Sequence, residues 1–130
     1  MKKTAMALSL FTIALVLSAF AAPGVGSEQP VATPTSIDLY GASEGFLLRP
    51  GDVVTARTAA GVACGSCVVT NSGFYGLLHV YGDDPTTAEP EGALPGERLR
   101  LEVNGEQVRP VDADPSWTKD GDRQRVNIAR

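Results

Sequence analysis

Histidine and tryptophan each occur once in this chain, and cysteine occurs twice. One histidine excludes a three-histidine zinc site. Two cysteines allow at most one bridge. One is enough, because a domain of roughly 100 residues buries about two-thirds of its unfolded surface and forms a single core without several staples. Positive charge is also scarce, with 11 basic residues against 15 acidic ones. An acidic protein repels phosphate backbones, so nucleic acid is not an expected partner. After residue 22 there is no apolar stripe of period 3.6, so little or no helix is expected. There is no second long hydrophobic run, no internal repeat and no Gly-x-Ser-x-Gly nucleophile elbow.

What is present begins with a secretory signal over residues 1–26. Lys2 and Lys3 precede an apolar stretch from Ala5 to Ala22, interrupted by Ser9, Thr12 and Ser18. Small residues follow, as a signal peptidase requires. Ala19 and Ala21 fit the small-x-small rule for cleavage after residue 21. Pro23 argues against a cut after residue 22, and Gly24 and Gly26 offer a second site after residue 26. The alternative is a retained anchor, for which the run is marginal against the roughly 20 apolar residues a span needs. No cysteine lies near the cut to carry a lipid. Loss of Lys2 and Lys3 takes the net charge from −4 to −6. Residues 27–36, with Pro30 and Pro34, read as a linker.

Residues 37–130 read as one all-β domain. Leu99, Leu101 and Val103 alternate with Arg98, Arg100 and Glu102, which is the pattern of a half-buried strand. Asn104-Gly105 follows at once and tolerates positive φ at both central positions of a tight hairpin turn. Val108 and its neighbours form the return strand. Earlier strands are expected at residues 37–40, 52–57, 62–70 and 74–81, separated by the turns at Pro50-Gly51, Ala60-Gly61 and Asn71-Ser-Gly73. The apolar run 74–81 reads as a central strand. Residues 126–128 read as a last short strand. About seven strands at this spacing predict a single antiparallel β-sandwich of immunoglobulin-like type.

The order Val53-Val-Thr-Ala-Arg57, Gly61-Val-Ala-Cys-Gly65 and Gly73-Phe-Tyr-Gly-Leu-Leu78 resembles the small sandwich modules of the carboxypeptidase-regulatory, transthyretin-like and collagen-adhesin B-repeat type. Val80-Tyr-Gly-Asp-Asp-Pro85, Gly92-Ala93, Pro95-Gly-Glu97, Val103-Asn-Gly105, Trp117 with Asp120-Gly-Asp122, and Val126-Asn-Ile128 resemble a repeated module of bacterial extracellular proteins. That resemblance spans residues 37–128. It implies a fold and an extracellular bacterial setting, and it carries no catalytic residues.

Cys64-Gly-Ser-Cys67 is the one motif with chemistry of its own. A thioredoxin-like pair sits at a helix N-terminus, where the thiol pKa falls. Here β-prone Val68, Val69 and Thr70 follow. An oxidising compartment favours a Cys64–Cys67 disulfide. Residues three apart on an extended strand point to opposite faces, so the bond requires a bulge at Gly65-Ser66. Two inert thiols, or a redox pair, are the alternatives. Asp83 and Asp84 in the proline-rich loop 82–96 are candidate calcium ligands, though their spacing is not that of an EF-hand. Tyr75, Tyr81 and Trp117, together with Tyr40, are candidates for an aromatic face that stacks on sugar rings. Their alternative is core packing with the polar tip satisfied. Tyr75 and Tyr81, six apart, should share a strand face. His79 reads as a packing residue.

The expectation is therefore a secreted bacterial protein, non-enzymatic and free of cofactors. It would act as a binding or structural module at the cell surface, in the periplasm or outside the cell. Its partner would be a cell-wall glycan or another extracellular protein, with no membrane span once the signal is cut. The rivals are a carbohydrate-binding module, a thiol-disulfide protein, and an inhibitor presenting loop 84–95.

Overall fold

The structure is a computed structural model that describes residues 29–130, so the signal expected over residues 1–26 lies outside the described residues. Among the described residues every regular element is a strand, and no helix is long and apolar enough to cross a membrane.

The hairpin forms where the alternation places it. Strand β5 (Arg100–Val103) turns through Asn104 and Gly105, with φ of 50° and 87°, into β6 (Glu106–Pro110). The Asn104 side chain then ties the turn to the neighbouring strand. Its Oδ1 accepts the Val53 N–H at 2.9 Å, and its Nδ2 donates to Asp52 Oδ1 at 3.1 Å. Asp52 also accepts the Arg49 N–H at 2.8 Å, which closes the Pro50-Gly51 turn. The Arg49 N–H and the Asn104 amide together hold the Asp52 carboxyl below its ordinary value. Strand β2 (Val53–Arg57) pairs antiparallel with β5 on one side and with β3 (Ala63–Val68) on the other.

A second set of strands is organised by β1 (Ser36–Glu44). It pairs antiparallel with β4 (Phe74–Tyr81) and parallel with β7 (Arg123–Arg125). The two residues of β8 (Ile128–Ala129) pair with β1 and also with β6, which joins the two sets into one path, β3-β2-β5-β6-β8-β1-β4. Its two ends lie against each other. Gly65 of β3 backs onto β4 so closely that a Cβ there would stand 2.3 Å from the His79 carbonyl oxygen. The result is a nearly closed, barrel-like arrangement. The all-β class is as expected. The division into two separate sheets is not what the hydrogen bonds trace, because β8 bridges one side and glycine lets β3 and β4 meet on the other.

Inside lie Ile37, Leu39, Val54, Ala56, Leu78, Val80, Leu101, Val103, Val108 and Ile128. Each aliphatic side chain fully withdrawn from water contributes about 1.5–3 kcal/mol before the entropy of ordering is set against it. Three expectations are corrected here. Strand β4 is at one end of the hydrogen-bonded path, not its centre, and its apolar outward residues Phe74 and Leu77 are exposed. The last strand is two strands, broken at Val126 and Asn127, where the Asn127 side chain in place of a backbone carbonyl accepts the Ala42 N–H. Tyr75 and Tyr81 do not share a face. Leu39 opposes Leu78 while Gly41 opposes Tyr75, so β4 carries one extra residue. This bulge flips the alternation between them. Ahead of β1, the Thr33 hydroxyl donates to the Gly82 carbonyl at 2.7 Å.

Candidate functional site

The bulge that separates Tyr75 from Tyr81 also shapes the surface. On β1, the outward Tyr40 is followed by Gly41 and Ala42, which offer almost no side-chain bulk. Gly41 has no room for more: a Cβ would sit 2.2 Å from the Val126 carbonyl oxygen. Phe74 stands opposite Ala42, and Arg125 stands beside Tyr40 on the neighbouring strand. Small residues flanked by large ones leave a hollow. It is a cleft of about 430 Å³ lined by Tyr40, Gly41, Ala42, Phe74, Tyr75, Arg125 and Asn127.

Its walls are apolar and reachable, with Tyr40 37% and Phe74 60% exposed. Its floor is held rigidly. The Tyr75 hydroxyl donates to the Val126 carbonyl at 2.6 Å, inside the protein. Burial pushes the Tyr75 pKa up. Asn127 replaces the missing ladder rung between β7 and β8. Its Oδ1 accepts the Ala42 N–H at 3.0 Å, and its Nδ2 donates to Glu44 at 3.1 Å. Both polar ends of Asn127 are therefore engaged. Arg125 is exposed and forms no ion pair among the described residues.

Further along the same outward face, His79 Nδ1 lies 2.5 Å from Asp38 Oδ1, and Arg123 approaches the other oxygen at 3.8 Å. His79 is thus an exposed partner of Asp38, not a packing residue. Among the described residues, no hydroxyl or thiol hydrogen-bonds to its ring. Tyr81 is half-buried.

The other candidates are elsewhere. Trp117 is 5% exposed, and its indole N–H donates to the Val80 carbonyl at 3.0 Å. It packs on Gly82, where a Cβ would stand 2.6 Å from the indole ring. Trp117 and Tyr75 are core residues with their polar tips satisfied, so of the proposed aromatic face only Tyr40 and, in part, Tyr81 reach the surface. Asp83 accepts the Glu91 N–H at 3.1 Å, and Asp84 accepts the Thr86 N–H and hydroxyl. These bonds shape loop 82–96. Among the described residues, no three metal-ligating side chains converge.

The expected disulfide is not formed: Cys64 and Cys67 are both free. Ala56 opposes Gly65 while Arg57 opposes Ala63, so the bulge falls at Cys64 itself. From Gly65 to Cys67 the ladder is regular, and the turn a disulfide would need is absent. Burial pushes the Cys64 thiol up to about 12. Burial also raises Cys67, against a smaller opposing pull from the Gly76 N–H. A redox nucleophile needs the opposite shift.

Sequence reasoning missed Phe74, Arg125 and Asn127. Phe74 carried a readable signal, as the residue after the Gly73 turn and the opposite face from Tyr75. Arg125 and Asn127 carried none, because their place beside Tyr40 and Ala42 comes from a parallel pairing of the two ends of the domain. No family model, curated protein or solved structure matches this chain.

Proposed function

We propose that this chain is a secreted, non-enzymatic binding module of the bacterial cell surface or extracellular space, and that the cleft between Tyr40 and Phe74 is its ligand site. The observation that carries this reading is a pair of exposed aromatic walls over a floor of Gly41 and Ala42, held on paired strands. Concave, mostly apolar sites with a few placed polar groups are where small ligands bind. The residue order that resembles small extracellular modules, and the signal read over residues 1–26, support the setting. Carbohydrate is the favoured ligand class, because the exposed rings offer flat apolar faces to the C–H faces of a sugar. The raised thiols of Cys64 and Cys67 count against the redox reading.

The test is retention of the full chain on a panel of insoluble polysaccharides and bacterial cell-wall material. Tyr40→Ala and Phe74→Ala serve as variants, each checked for folding by circular dichroism. Retention by the parent that both variants lose supports the cleft as the site. Absence of retention, or retention that neither variant changes, overturns it.

A further inference from the structure

The cleft carries an asymmetry that narrows its ligand. Although the whole chain is acidic, the polar group free at the rim is a cation. Asn127 is spent on Ala42 and Glu44, and Asp38 is engaged by His79 and Arg123. Arg125 is left without a carboxylate among the described residues, on the strand paired beside Tyr40 and in the lining of the same cleft. A guanidinium presents a planar fork that matches a carboxylate with two parallel hydrogen bonds. The backbone beneath the cleft is occupied, since β1 is paired with β4 on one side and with β7 and β8 on the other. A peptide therefore cannot pair with β1 at the floor of the cleft. The volume of about 430 Å³ suits one or two rings rather than a folded partner.

Resting on the reading of this cleft as a ligand site, we infer that its ligand is a carboxylated sugar, a uronate unit of an acidic polysaccharide. The ring stacks on Tyr40 and Phe74, and its carboxylate pairs with Arg125.

The test compares binding of the full chain to polygalacturonate and to the same polymer fully methyl-esterified, by affinity electrophoresis at low and high salt. The ester keeps the ring and removes the charge. The expected result is retardation by polygalacturonate that weakens about tenfold or more on esterification, falls with added salt, and falls about as far in Arg125→Gln. Equal binding to both polymers, or an unchanged Arg125→Gln, overturns the anionic inference. If Tyr40→Ala and Phe74→Ala still abolish that binding, the cleft itself stands as the site. No retardation by either polymer overturns the uronate assignment, while the wider polysaccharide panel decides the cleft separately.

Discussion

At the scale of single residues, chemistry follows from burial more than from residue type. Cys64 and Cys67 occupy the spacing of a redox pair, yet Cys64 is fully enclosed and donates weakly to the Ala56 carbonyl at 3.4 Å. A buried group disfavours its charged form, so the thiols of Cys64 and Cys67 and the Tyr75 phenol all titrate above their ordinary values. The sign of the stability effect follows. Above about pH 9 the unfolded chain gives up thiol protons that the folded chain retains, so it binds fewer protons and unfolding becomes easier as pH rises. Stability should hold below pH 9 and fall steadily between about pH 9 and about pH 12. The loss from Cys64 alone should be on the order of a few kcal/mol. Urea titrations across this range check it, and Cys64→Ala should flatten the slope. A slope the variant leaves unchanged would remove Cys64 as its cause. The motif was legible in the sequence. Its burial was not, because that depends on which strands cover it.

Among the elements, glycine marks where two backbones meet and where one backbone turns, and the two uses predict different costs. At Gly105 the space around a Cβ is empty, but φ is +87°. Gly105→Ala should cost about 1 kcal/mol through backbone strain and leave the fold intact. At Gly41 a Cβ would overlap the Val126 carbonyl, at 2.2 Å. Gly41→Ala should force β1 away from the β7–β8 junction, cost about 1–3 kcal/mol or more, and disturb the cleft. Denaturant melts of both variants, with amide spectra of residues around Tyr40 and Asn127, separate the two outcomes. The Asn104-Gly105 turn could be read directly, since its chemistry is local. The close approach at Gly41 could not, since its partner is Val126.

For the whole molecule, the C-terminal residues act as the clasp. Strand β8 reaches both β6 and β1, and Ile128 is fully buried between the two sets of strands. A chain ending at residue 122 should lose cooperative unfolding and the near-ultraviolet circular dichroism of Trp117, rather than merely lose a few kcal/mol. A truncated chain that still melts in one sharp transition would show that the bridge is dispensable. Much of the architecture was visible beforehand. Alternation and turn residues located β2, β4, β5 and β6 to within a residue or two, since period two and turn chemistry are local properties of neighbouring amino acids. The closure into a barrel-like form, the face on which Tyr81 emerges, and the meeting of Tyr40 with Arg125 depend on contacts between residues that lie 14 to 85 positions apart. A one-residue bulge in such a pairing sends side chains to the other face. Local sequence therefore dictated strands and turns, while long-range register alone decided which side chains line the cleft.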